Sequence, residues 1–110
     1  MAGRPLGLLQ GTVDVLILRT LAWAPMHGYG VSKWINDRSE GALAVEDAAL
    51  YQALHRLERK GMVASEWGTS EKNHRAKYYS LTPVGRQQLQ SEAAELRQYM
   101  AVLFRVLDPA

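Results

Sequence analysis

Asp-Ala-Ala-Leu-Tyr-Gln-Ala-Leu-His-Arg-Leu-Glu-Arg-Lys-Gly-Met-Val, residues 47–63, holds the key to the chain. Leu50, Leu54 and Leu57 recur at helical spacing and form one apolar stripe. At 100° per residue the opposite side carries Gln52, His55, Arg56 and Arg59, with Tyr51 and Lys60 on its shoulders. Asp47 is placed as an N-cap and Gly61 as a C-cap. The stretch therefore predicts a short helix, apolar inside, with a basic, amide-bearing outer face free of carboxylates. Such a face suits a helix lying in the DNA major groove, and equally an ordinary amphipathic surface helix.

Downstream, Met62–Trp67 alternates: Val63, Ser65 and Trp67 share one face, Ala64 and Glu66 the other. Ala76–Leu81 is a second strand-like run, and residues 68–75 between them are polar. This predicts a hairpin. Upstream, the spacing predicts a helix over Leu8–Ala24 stopped by Pro25, a turn at Met26-His27-Gly28, and a second helix over Tyr29–Arg38 with Val31, Trp34 and Ile35 inward. Met1–Gly7 reads as a loose arm, and Ser39–Glu46 as a loop. The first helix is apolar on two sides, with Leu8, Val15 and Leu18 on the second. That pattern predicts a partner chain as the second cover. The fold class expected is mainly α with a small β-hairpin: a winged helix-turn-helix.

Thr82-Pro83 opens a last helix, a hydroxyl N-cap followed by proline at the first helical position. It runs to about Leu107, roughly 24 residues and about 36 Å long. Leu89, Ala93, Leu96, Met100, Leu103 and Leu107 are spaced 4-3-4-3-4 along it, a heptad seam suited to dimerisation. The division expected is residues 1–81 as a winged helix DNA-binding domain and residues 82–110 as a C-terminal dimerisation helix.

Composition narrows the function. The 110 residues contain no cysteine, which excludes disulfides and thiolate metal sites and fits a reducing, cytoplasmic compartment. No signal peptide or membrane span is read, because Gln10, Thr12, Asp14 and Arg19 interrupt the most apolar segment. Net charge is only +2, but its distribution is uneven. Residues 55–86 hold Arg56, Arg59, Lys60, Lys72, Arg75, Lys77 and Arg86 against Glu58, Glu66 and Glu71. A polyanion-binding surface leaves such an asymmetry. His27, His55 and His74 lie far apart without metal-ligand spacing, and nothing sets a nucleophile beside a base, so neither a cofactor nor catalysis is expected. Trp23, Trp34 and Trp67 are assigned to the core, and Glu58, Glu66 and Glu71 to solubilising surface.

Four motifs in order resemble the PadR family of bacterial winged-helix transcriptional regulators. They are His27-Gly28-Tyr29-Gly30; Leu50-Tyr51 with Ala53-Leu54-His55-Arg56-Leu57-Glu58; Ser65-Glu66-Trp67-Gly68 followed by Asn73–Leu81; and Leu81-Thr82-Pro83-Val84-Gly85-Arg86. The resemblance implies a homodimeric repressor of double-stranded inverted-repeat operators, the last helix of one chain packing on the first helix of the other. It also implies release, in some members, by a small hydrophobic effector, for which Tyr99, Met100 and Phe104 are candidate lining. Two positions depart from the family pattern: Ala49 stands where Ser or Thr is common, and Gln52 where Pro is common.

The DNA-binding residues expected are Arg56, Arg59, Lys60, Lys72, Arg75 and Lys77 on phosphates, Tyr51 on a phosphate or thymine methyl, and Gln52 and His55 on bases. Those expected for dimerisation are Leu8, Val15, Leu18, Leu89, Ala93, Leu96, Met100, Leu103 and Leu107. The alternative is a winged helix that binds proteins or effectors without DNA; the basic hairpin and the outer helix face argue against it.

Overall fold

Gly11 turns the chain into its first helix with a φ of 87°, a left-handed value that glycine adopts without a Cβ clash. In the computed structural model, which describes residues 11–109, seven elements follow. They are α1 (Thr12–Trp23), β1 (Met26–His27), α2 (Gly28–Arg38), α3 (Asp47–Arg59), β2 (Val63–Thr69), β3 (Arg75–Leu81) and α4 (Pro83–Leu107). Helix α1 thus begins at Thr12; the expected start at Leu8, and Leu8 itself, lie outside the described residues.

The helices converge on one core of Ile17, Leu18, Leu21, Val31, Ile35, Val45, Leu50, Ala53, Leu54, Leu57, Val63 and Tyr79. The leucine stripe of residues 47–63 faces it as its spacing requires. The helix begins one residue earlier than a capping Asp47 allows. Glu46 is the N-cap, without a side-chain bond, and Asp47 lies in the first turn, where its charge complements the helix dipole. At the other end Gly61 takes a φ of 74°. Its N–H donates to Glu58 O at 3.0 Å and that of Met62 donates to Leu57 O at 2.9 Å, a Schellman ending.

Helix α1 is the centre of the molecule, packed against α2, α3, β3 and α4 of its own chain. At Val15 and Leu18 this corrects the expectation that the second apolar side waits for a partner. Leu18 is fully buried and Val15 nearly so in the single chain. The reason is that α4 folds back across α1. Thr20, also buried, satisfies its hydroxyl on Leu16 O at 2.8 Å.

The hairpin forms with Val63 opposite Leu81 and Thr69 opposite Arg75. The expected turn at residues 26–28 is instead partly a third strand. Met26 and His27 pair with Tyr79 and Tyr78, giving an antiparallel sheet in the order β1-β3-β2. Helix α4 starts as its sequence dictates: Thr82 Oγ1 accepts from Gly85 N–H at 3.0 Å and donates to Gly61 O at 2.7 Å. Gly85 is buried, and a Cβ there would collide with the carbonyl oxygen of Met62. Leu89 packs on the core, but every described residue from Arg97 to Leu107 is exposed. Among the described residues no helix is long and apolar enough to cross a membrane.

Candidate nucleic-acid interface

The outward side of α3 carries Gln52, His55 and Arg59, all exposed, with Lys60 exposed just beyond the helix end. The shoulder residue Tyr51 leans the other way. Its ring lies so close to Gly28 that a Cβ there would be 2.5 Å from the tyrosine hydroxyl. Glycine at residue 28 is therefore what lets α3 approach the start of α2. His27 fixes that start: Nδ1 accepts from Gly30 N–H at 3.0 Å, capping α2, while the ring meets Tyr78 at a centroid distance of 5.3 Å.

Between the start of α2, Tyr51 and the hairpin lies an open cleft of about 860 Å³. Lys33, which pairs with Asp37 at 2.6 Å, and Lys72, Arg75 and Lys77 supply its cations, Glu71 a carboxylate, and Tyr29, Tyr51 and Trp67 its exposed rings. Trp67 is 59% exposed, so its assignment to the core is corrected; it packs under the Arg75 guanidinium, 4.6 Å from ring centroid to Cζ. Trp23 is likewise exposed, at 69%, and Trp34 is only partly buried, with Arg19 and Arg38 over its ring. Alternation alone places Trp67 on the face of Val63, but by that point β2 has run past the helices that cover it.

The structure brings Tyr51, Lys72, Arg75 and Lys77 to the cleft and Gln52, His55 and Arg59 to the adjoining helix face. Arg56 is held elsewhere: its guanidinium pairs with Asp14 on α1 through both Nη2 and Nε. That ion pair ties α3 to α1 across the core's rim, so this cation is not freely available to a phosphate. Lys77 is also engaged, 3.6 Å from Glu58 Oε1. Glu58, assigned to solubilising surface, accepts in addition from Ser65 Oγ at 2.5 Å. The Ser65 hydrogen bond holds the Glu58 carboxyl below the ordinary glutamate pKa; burial opposes this, and Lys77 and His55 add to it. Below this network, burial raises the Tyr79 phenol above its ordinary value, with the Glu58 charge contributing. Arg59, Lys60 and Lys72 make no ion pair among the described residues.

Tyr29 and Lys33 belong to the cleft and were not among the expected site residues. Only the strand pairing of Met26 and His27 with β3 brings the start of α2 against the wing. Of the residues expected for dimerisation, Leu89, Ala93 and Leu96 are partly covered within the chain, while Met100, Leu103 and Leu107 are exposed.

This geometry matches known proteins over nearly its whole length. The model of the transcriptional regulator PadR-like family matches residues 17–91. Protein X of Lysinibacillus sphaericus is 27% identical over 104 residues, covering 92% of this chain and 95% of its own. The structure of a transcriptional regulator from Clostridium thermocellum superposes with a TM-score of 0.80 at 30% identity, covering 87% of this chain and 93% of that one. A PadR family transcription regulator from Clostridium difficile R20291 does so with a TM-score of 0.76 at 31% identity, covering 88% and 99%. The family comprises transcriptional regulators, not enzymes, and its four helices with a small antiparallel sheet and a long last helix are the architecture found here. This chain belongs to the PadR-like family of transcriptional regulators.

Proposed function

We propose that the protein is a homodimeric repressor that binds inverted-repeat sites in double-stranded DNA. The observation that carries this reading is the exposed face of α3, Gln52, His55 and Arg59, lying beside a cleft rimmed by Lys72, Arg75 and Lys77. A helix entering the major groove presents such amide, imidazole and guanidinium groups to base edges. A strand of phosphates beside that groove would then run through the cleft, where the cations neutralise it and the Tyr51 hydroxyl donates to it.

The second half of α4 supports the dimer. Met100, Leu103, Phe104 and Leu107 form one exposed apolar stripe continuous with Leu96. Exposed apolar surface of this extent marks an association site, and a second copy supplies a matching stripe. Residues 1–81 then serve DNA binding and residues 82–110 dimerisation, although the first half of α4 packs on α1 and, through Leu89, against the core. A small hydrophobic effector between paired α4 helices, against Tyr99, Met100 and Phe104, would act by altering the spacing of the two α3 helices. The absence of cysteine fits action in the cytoplasm, where the DNA is.

Binding of the full chain to a random-sequence duplex, followed across salt concentrations, tests the reading. The observed association constant is expected to fall steeply with salt, with a log–log slope of about −0.9 for each phosphate neutralised. Absence of binding at low salt would overturn it in favour of an interaction module without DNA.

A further inference from the structure

Three elements meet at one carboxylate. Glu58, near the end of α3, accepts from Ser65 Oγ of β2 at 2.5 Å on Oε2, while Oε1 faces Lys77 Nζ of β3 at 3.6 Å. The two contacts are unequal. The hydroxyl bond is short and fixes the carboxylate in place. The ammonium contact is longer than the roughly 2.7–2.9 Å of a tight charge-assisted hydrogen bond, so Lys77 is attracted to Glu58 without being locked to it. Both charged side chains are partly exposed, and Lys77 also lies 5.8 Å over the Tyr79 ring and lines the cleft beside Lys72 and Arg75.

We infer that Glu58 is an internal competitor for Lys77, a phosphate surrogate built into α3 that draws the wing's cation away from DNA and so limits how tightly the protein holds any duplex. The inference rests on the DNA-binding reading. A negative charge in contact with one of the wing's cations, beside a cleft where Lys33, Lys72, Arg75 and Lys77 outnumber Glu71, costs affinity twice. It neutralises Lys77, and it repels the phosphates that approach the cleft. Its partner Ser65 keeps it there whether or not Lys77 stays, so the lysine exchanges one anion for another while the wing remains tied to α3. Glu58 is thus a positioning residue for the wing and a brake on non-specific binding through a single side chain.

The substitution Glu58→Gln separates the two roles, because an amide oxygen still accepts from Ser65 but carries no charge. Wild type, Glu58→Gln, Lys77→Ala and the double variant are titrated with a random-sequence duplex at several salt concentrations, with thermal melting to confirm that each is folded. Glu58→Gln is expected to bind more tightly, by up to about eightfold at 0.1 M salt, with a slope steeper by about 0.9, the value of one released phosphate contact. Lys77→Ala alone is expected to lose less than that full contact, and in the double variant the gain from Glu58→Gln is expected to shrink to the smaller part that comes from relieved phosphate repulsion, with no added steepness of the slope. A mere strut between helix and wing would leave the slope of Glu58→Gln unchanged. An unchanged or weakened Glu58→Gln beside a wild type that binds with steep salt dependence overturns the competitor role alone. Failure of wild type to bind duplex at low salt overturns both this role and the DNA-binding reading.

Discussion

Among the described residues two surfaces stand out as exposed, and they differ in kind. One, formed by α3 and the β2–β3 hairpin, is cationic and amide-bearing, with Gln52, His55, Arg59 and the lysines and arginine of the wing. The other, the second half of α4, is apolar, with Met100, Leu103, Phe104 and Leu107 in one row. An apolar row is covered by another apolar surface, because burial from water drives the contact. A cationic cleft is filled by a polyanion, through release of counterions. The chemistry of each surface thus names a different partner, and the two are separable by mutation. Gly85 joins them: packed on the carbonyl of Met62, immediately after α3, it sets where α4 leaves the domain.

The largest effect is expected from Leu103→Asp. Pairing through this stripe would bury an unpaired carboxylate at a cost on the order of 4 kcal/mol, weakening the dimer by roughly a thousandfold. Sedimentation should show a folded monomer, because Leu103 is exposed and lies outside the core cluster, and the cationic surface should be untouched. An intact dimer at micromolar concentration would break the distinction between the two surfaces.

Gly85→Ala comes next and should damage both surfaces together. The new methyl group meets backbone, which cannot swing aside, so a loss of about 3 kcal/mol is expected. That corresponds to a fall in melting temperature of more than about 10 °C. A calorimetric scan with an unshifted midpoint would show that α4 is not seated as described.

Gln52→Ala sharpens the account of the cationic surface. A glutamine amide reads adenine through N6 and N7 for about 1–3 kcal/mol of discrimination. Measured against all four base pairs at each half-site position, the variant should lose preference at one A·T pair and keep its salt slope. An identical preference profile would place Gln52 outside the bases. The smallest effect is expected of Arg75→Ala: a slope shallower by about 0.9, equal for all sequences, with sedimentation unchanged. A shifted sequence preference at constant slope would contradict the assignment of Arg75 to a phosphate.

The helices, their inward stripes and the hairpin were legible because each rests on local periodicity and on caps such as Thr82 and Gly61. What was not legible depends on contacts between distant positions. Strand β1 has only two residues, too few to alternate, and exists because β3 lies beside it. Its pairing brings Tyr29 and Lys33 to the cleft. The heptad spacing of α4 is uniform, but among the described residues only its first half is partly covered, so spacing located the stripe without saying what covers it. The burial of Leu18 was misassigned to a partner for the same reason. The charges show the limit most clearly. Arg56 and Lys77 count as free cations in the sequence, and pair with Asp14 and Glu58 only once the fold brings those residues together.

The central claim is that the two surfaces act together, one pairing chains and the other binding DNA. Sedimentation of the wild-type protein with a labelled duplex carrying a site selected from the source genome tests it most directly. Two chains per duplex are expected at saturation, on a site with inverted-repeat symmetry, and for Leu103→Asp a large loss of affinity for that site. One chain per duplex on a site without symmetry, held equally well by Leu103→Asp, would contradict it.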